Sequence, residues 1–272
     1  MGADHRFAEH SGVLAQSMVS LLAVLTFATI GAAPSIPEIE AAHHATELRS
    51  HPVLKVHLEL DFGGKPRIHG TLYARTDGGR TRIETDDGRV IVFDGKTAHL
   101  KTTGATDAKV LGGARLDALT WSYFLLAPFK LSDSGAQYDR TNGALPFLTV
   151  PMETAKLTFG ERIGDAPDDW YVVYANPENH RVEGLAYIVT FGPKTKESAE
   201  KEPHAIVYSH YERFQGVTLA TEWAFRLWSA KAGVHGPNLG AAKLSNIEFL
   251  EDEGTLFQAP PGSVEAPIPL DR

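Results

Sequence analysis

The chain contains no cysteine. That excludes disulfides, thiolate metal sites, a cysteine nucleophile and an acylated N-terminal cysteine. The lack is compatible with export and does not establish it. Positive charge is also short: 26 Lys and Arg stand against 34 Asp and Glu, a net charge of −8. The electrostatic footprint of a nucleic-acid-binding protein is missing, so nucleic acid is excluded as a partner. No Gly-x-Ser-x-Gly elbow, P-loop, Gly-x-Gly-x-x-Gly or His-Glu-x-x-His occurs. The twelve histidines include no helical i, i+4 pair beside an acid, so zinc has no support. No cofactor is implied.

What remains is ordinary globular composition: 272 residues, 43% hydrophobic and 22% charged. No repeat or internal linker divides it, and one domain over residues 34–262 is the economical reading. The apolar run at residues 18–33 falls short of the roughly 20 residues of a spanning helix. It ends in Gly31-Ala32-Ala33, which reads as a secretory signal, so residues 1–33 are set apart as a signal peptide or N-terminal apolar segment. Arg6 precedes the run together with Asp4 and Glu9, and Pro34 follows it. The cleavage point, and a start at Met1 or Met18, therefore stay open. Residues 263–272 read as a loose tail.

The most legible stretch is residues 156–191. Trp170, Val172 and Tyr174 fall on one face of a strand, and Tyr171 and Val173 on the other. Neither face is polar, so this strand is covered on both sides. Asn176-Pro177-Glu178-Asn179 turns it into a returning strand at 184–191. Upstream, Ser35 and Glu38 open a helix that runs to about Arg49, with His43 and His44 read as surface residues. Leu54, Val56, Leu58, Leu60 and Phe62 alternate with polar residues. Turns at Gly63-Gly64, Asp77-Gly78-Gly79, Asp86-Asp87-Gly88 and Asp94-Gly95 then give an antiparallel meander.

After Gly112-Gly113 the period changes. Leu116, Leu119, Tyr123 and Leu126 recur at helical spacing, and Pro128 stops a helix over 116–126 that is apolar nearly all round. Such a helix must be covered, and it is placed to plug or lid the sheet. Residues 132–151 and 233–240 read as loops, and 192–203 as a charged, solvated loop. Strands follow at 206–213 and 217–228 about Gln215-Gly216, with a last one at 242–250.

Two groups of residues invite a functional reading. Asp165, Asp168 and Asp169 form an acidic cluster. Calcium needs six to eight oxygens, and this spacing matches no EF-hand loop, so the cluster reads first as a turn and only weakly as a metal site. The aromatics Trp121, Phe124, Phe129, Trp170, Tyr187, Trp223 and Phe225, with Leu125, are the candidates for lining an apolar cavity. Core packing explains any one of them; as a set they favour a cavity.

Several stretches together carry a resemblance. They are Trp121-Ser122-Tyr123-Phe124, Ala127-Pro128-Phe129-Lys130-Leu131 and Gly164-Asp165-Ala166-Pro167-Asp168-Asp169-Trp170-Tyr171. Glu200-Lys201-Glu202-Pro203-His204, Leu219-Ala220-Thr221-Glu222-Trp223 and His235-Gly236 complete the set. Across most of the chain beyond Ile36, it resembles an uncharacterised bacterial family of exported proteins related to the LolA and LppX lipoprotein-carrier superfamily. The resemblance implies a mostly β, α+β fold: a strongly bent antiparallel sheet, an unclosed or half β-barrel, with helices covering its concave face. It implies binding without an enzymatic step, a lipid or the acyl chain of a lipoprotein as ligand, and residence in the periplasm or cell envelope. A monomer is expected, and an envelope protein is a further partner to consider. The rival readings are an envelope structural or interaction module with a filled core, and a hydrolase with a dispersed triad. Export predicts a mature chain that begins near Ala33. N-terminal sequencing of the exported protein checks this, and a sequence starting at Met1 counts against it.

Overall fold

The structure is a computed structural model that describes residues 32–161, 163–252 and 254–268. The apolar segment expected over residues 1–33 lies outside the described residues except for Ala32 and Ala33, as do tail residues 269–272. Ala33 is buried, and its carbonyl accepts from Arg140 Nε while the Pro34 carbonyl accepts from the Tyr138 hydroxyl.

The meander forms as its turns predict. Strands β1 (Val53–Phe62), β2 (Lys65–Arg75), β3 (Thr81–Thr85), β4 (Val90–Phe93) and β5 (Ala98–Lys101) pair in sequence. Leu54, Val56, Leu58 and Leu60 of β1 are fully buried, so the period-2 pattern marks the core face. The second run comprises β6 (Ala136–Phe147), β7 (Val150–Phe159), β8 (Trp170–Ala175), β9 (Val182–Tyr187), β10 (His204–Phe214), β11 (Val217–Ser229) and β12 (Gly233–Leu250). These too pair antiparallel in chain order. Pairing of β12 with β1 joins the two runs into one 13-stranded sheet, and β13 (Val264–Ala266) covers β5. One parallel bridge, Val234 to Phe147, links β12 to β6 and makes a ring of seven strands that is not a closed barrel. The chain is thus mostly β, with an unclosed, bent antiparallel sheet and helices against its concave face. No helix among the described residues is long and apolar enough to cross a membrane.

Helix α3 (Ala108–Leu126) fills the concave side, followed by a 3-10 turn at Ala127–Phe129. Apolar residues of β1, β2, β9, β10 and β11 meet it in one core. Trp121 lies between Phe62 and Phe225, with ring centroids 6.5 and 6.0 Å away. A smaller second core lies on the other face of β8 and β9, where Trp170, Val172 and Tyr174 pack with Phe147, Trp228 and Val234. Every residue of β8 is buried, as its two-sided apolar pattern requires.

Several elements differ from expectation. Residues 132–151 hold most of the β6–β7 hairpin rather than a loop. Pro146 and Pro151 sit opposite each other near its tip, and β6 is an edge strand beyond its one bridge to β12, so missing N–H groups are tolerated there. Residues 233–240 are the start of β12, not a loop. Gly233 is there because of close approach: with φ of 60°, a Cβ on it would lie 1.7 Å from the Pro146 carbonyl oxygen. Helix α3 begins eight residues earlier than its apolar period, because Asp107 caps it by accepting from Val110 N–H at 3.0 Å. Gly112 and Gly113 lie inside it. The 192–203 loop holds a short helix α4 (Lys196–Ala199), whose Ala199 is buried in the second core, and Glu200 accepts from Trp170 Nε1. In the tail, β13 pairs with β5 and buries Ala266.

The helix after Ser35 is also different. Ser35 N–H and Oγ–H both donate to Glu38 Oε2 at 2.7 Å, as the start signal predicts. But the helix breaks at His44, which is left-handed with φ of 58°, into α1 (Ile36–His43) and α2 (Ala45–Arg49). His43 is not a surface residue: it is 1% exposed. Its Nδ1–H donates to the Thr218 carbonyl at 3.3 Å, and its Nε2 accepts from Val182 N–H at 3.0 Å. The ring thereby ties α1 to β11 and β9, between Phe129 and Tyr211. Only the neutral ring can serve both partners. Burial accordingly pushes its pKa down from 6.5 to about 4.

Because the unfolded histidine takes up a proton near pH 6.5 and the folded one near 4, protonation favours the unfolded chain. Stability is whole above pH 6.5 and falls as pH drops toward 4. At pH 4.5 the loss from this group is about 2–3 kcal/mol. Denaturant melts at pH 7.5 and 4.5 check this: His43→Gln should remove that part of the pH dependence, and parallel curves for the two proteins would refute it.

Candidate ligand cavity

Helix α3 presents two stripes. Ala114, Ala118, Trp121 and Leu125 are buried against the sheet. Leu116, Leu119, Thr120 and Tyr123 follow the i, i+3, i+4, i+7 spacing of a second stripe. These are half-buried and form one wall of a cavity of about 280 Å³. The sheet supplies the other walls through Phe93 of β4, Phe159 of β7, Tyr171 of β8 and Tyr187 of β9, with Val189 and Phe191 beyond. Exposed Ser134, Ile163 and Gly164 mark where it meets solvent. The volume is at the lower edge of the roughly 300–1,000 Å³ typical of small-molecule pockets.

The walls are aromatic and ordered. Tyr123 stacks on Tyr171 at 5.1 Å, and Phe159 meets Tyr171 edge-on at 5.9 Å. Phe124 packs on Tyr187 at 4.9 Å. Burial pushes the Tyr123, Tyr171 and Tyr187 hydroxyls above the usual phenol range, so all three remain protonated.

Charges brace the helix and the rim. Arg115 is 3% exposed and forks onto Asp165, with Nε to Oδ2 at 2.5 Å and Nη2 to Oδ1 at 3.1 Å. The same guanidinium donates to the Ala266 and Lys96 carbonyls and lies 5.5 Å over the Phe93 ring. Two residues on and equally buried, Asp117 accepts from Arg67 Nη2 at 2.8 Å and Trp121 Nε1 at 3.0 Å. Burial pushes the Asp117 carboxyl up, opposed by Arg67. Lys130 donates to the Asp77 carbonyl and pairs with Asp133. Asp169 Oδ1 accepts from Thr190 N–H and Oγ–H at 2.6 and 2.8 Å.

The sequence-predicted candidates divide sharply. Phe124 and Tyr187 line the cavity. Trp121 and Phe225 are packed in the main core. Leu125, Phe129 and Trp223 border a second void of only about 10 Å³ with His43, which holds at most a water. Trp170 lies on the opposite face of the sheet, against Trp228 at 5.5 Å. Asp165 and Asp169 border the cavity, while Asp168 is exposed beside it. Among the described residues no group of three or more His, Asp or Glu is arranged to hold a metal. The half-buried helix residues Leu116, Leu119, Thr120 and Tyr123 are liners that a choice by aromatic size overlooks, and their helical spacing is the available signal; Tyr171 of β8 lines the facing wall.

A bent, unclosed antiparallel sheet with a helix in its concavity has a counterpart among solved structures. The chain superposes on a LolA superfamily protein of Nitrosomonas europaea with a TM-score of 0.52 and 9% identity, over 83% of this chain and 98% of that one. A DUF1329 family protein of Desulfovibrio piger aligns at TM-score 0.48 and 12% identity, over 83% and 100% of the two chains. A domain assigned to outer membrane lipoprotein sorting, from Vibrio parahaemolyticus, aligns at 0.40 and 12%, over 82% and 97%. No family model and no curated protein matches the sequence. At such identities the first likeness is one of fold, and the other two carry no further weight.

The Arg115–Asp165 fork has a direct consequence. Asp165→Ala leaves a buried guanidinium without its carboxylate and should cost about 3–5 kcal/mol, whereas Arg115→Met with Asp165→Ala should recover most of that loss. Equilibrium unfolding of the single and double variants measures it. Equal losses in both would mean that the fork contributes through packing alone.

Proposed function

We propose that this protein is a non-enzymatic, carrier-like binding protein of the cell envelope that holds an acyl chain between α3 and the sheet. The supporting observation is the cavity of about 280 Å³ along the Leu116, Leu119, Thr120, Tyr123 stripe. A helix face left half-buried beside an aromatic hollow is a place where apolar ligand surface can leave water. Each buried CH₂ gains about 0.8 kcal/mol, so about a dozen carbons gain roughly 10 kcal/mol before the cost of association. Among the described residues the lining contains Ser134 and Asp133 and no histidine, which lends no support to a Ser–His–Asp set there. Export to the periplasm, a lipoprotein as the source of the chain and an envelope protein as delivery partner belong to the same proposal, on the likeness of fold.

A second reading has its own support. Six of the eight expected cavity residues are packed against core neighbours or a void too small for a ligand, which suits an envelope interaction module with a filled core.

Displacement of the neutral fluorophore N-phenyl-1-naphthylamine by acyl compounds distinguishes the two. Leu119→Trp fills the cavity from its half-buried wall and should weaken probe binding by at least about tenfold while changing stability by less than about 1.5 kcal/mol. Saturable binding lost in this variant supports the carrier; no binding by the native chain favours the filled module.

A further inference from the structure

Three hydroxyls in the cavity are left over by the fold. Tyr123, Tyr171 and Tyr187 all line it, and Tyr171 and Tyr187 are only 9% and 7% exposed. Three other tyrosines, two buried and one partly buried, have acceptors or partners for their hydroxyls. Tyr208 donates to the Phe124 carbonyl at 2.8 Å, Tyr211 donates to the Val182 carbonyl, and Tyr174 accepts from Trp228 Nε1 at 2.7 Å. The three cavity tyrosines have no hydrogen-bond partner among the described residues. Nor are their hydroxyls sealed off, since the buried polar side-chain atom left without a partner is Arg226 Nε alone among the described residues. A purely hydrocarbon ligand would leave three phenol donors unmet, at the cost that attaches to any dry polar group.

The charges nearby determine what kind of acceptor fits. Among the described residues the cavity border carries the carboxylates Asp133, Asp165 and Asp169 and one cation, Lys130. Lys130 is engaged by the Asp77 carbonyl and Asp133, and Arg115 behind the wall is forked onto Asp165. No uncommitted cation among the described lining residues awaits an anionic head. Asp133 and Asp169 act on Tyr123 with the sign that disfavours a second negative charge there.

We infer that the cavity selects an acyl compound with an uncharged carbonyl, an ester or amide, over a free fatty acid, with up to two of the phenols of Tyr123, Tyr171 and Tyr187 donating to that carbonyl oxygen and the remaining one to water. This rests on the acyl-binding reading above and narrows it to a head group. The stacked ring pair Tyr123–Tyr171 holds two of the donors in place in advance, so little freedom is lost on binding.

The test is competition against bound N-phenyl-1-naphthylamine at pH 7.5, below micelle concentrations, with three twelve-carbon-chain competitors: methyl laurate, laurate and dodecane. Methyl laurate should displace the probe at a concentration at least about tenfold below that of laurate. Tyr171→Phe and Tyr187→Phe should each reduce the advantage of methyl laurate over dodecane, by up to about tenfold, and leave dodecane itself unchanged. Laurate competing as well as the ester, or an ester advantage untouched in both variants, overturns the head-group inference while acyl binding stands. Failure of all three competitors overturns the acyl-binding reading and this inference with it. The comparison among competitors on the native chain is independent of how the variants fold.

Discussion

The structure depends on covering α3. This helix is apolar nearly all round, yet it carries Arg115 and Asp117 into the interior, both 3% exposed. An apolar helix needs walls on every side, and one flat sheet offers only one. The solution is a sheet that wraps, so that β1 to β5 lie along one flank and β9 to β11 along another. The two charges then act as fixed points. Asp117 ties the helix to Arg67 of β2, and Arg115 ties it to Asp165 in the segment between β7 and β8. The Arg115–Asp165 pair is shielded on both sides, and in the other pair Asp117 is buried while Arg67 reaches solvent; such pairs add little net stability over apolar replacements, but losing one partner of a buried charge is costly. They specify where α3 sits, and therefore where the gap beside it lies.

The rest of the sheet serves that gap. Aromatic rings packed on the concave side form a continuous chain from Phe62 through Trp121, Phe225 and Phe124 to Tyr187. Such contacts leave little room for side chains to relax inward, as interiors are close-packed. The second core, on the convex side of β8 and β9, holds those strands from behind with Trp170, Tyr174 and Trp228. With both faces loaded, the wall that carries Tyr171 and Tyr187 cannot tilt easily into the hollow.

Much of this was legible in the amino-acid order. The two-sided apolar pattern of residues 170–174 identified a strand packed on both faces, because period 2 maps directly onto sheet faces. The glycine turns of the meander and the Ser35–Glu38 start signal were equally local and equally visible. What could not be read was anything set by distant partners. The 233–240 stretch resembles a loop in composition, yet Gly233 is demanded by the Pro146 backbone, far away in the chain. His43 resembles a surface helix residue until Thr218 and Val182 close around it. The choice of cavity residues meets the same limit. Large aromatics such as Trp121 and Phe225 stand out in the sequence by their size, and size is what a core uses first. The cavity liners are the residues the core leaves half-covered, and half-coverage is a property of the packed molecule.

Why the hollow does not simply close follows from the same geometry. Collapse would bring Leu116 and Leu119 against Phe159 and Val189, which gains apolar contact. It would also drive the hydroxyls of Tyr123, Tyr171 and Tyr187 into that contact without acceptors. The charge anchors oppose it further, since moving α3 toward β7 and β8 strains the Arg67–Asp117 bond from the opposite flank. Phenylalanine at these three positions would supply the same ring packing without the polar cost. The phenols therefore fit a hollow whose wall stays in reach of polar partners such as water. An open hollow with donors on its wall and apolar rings around them is stable only because its walls are held from outside.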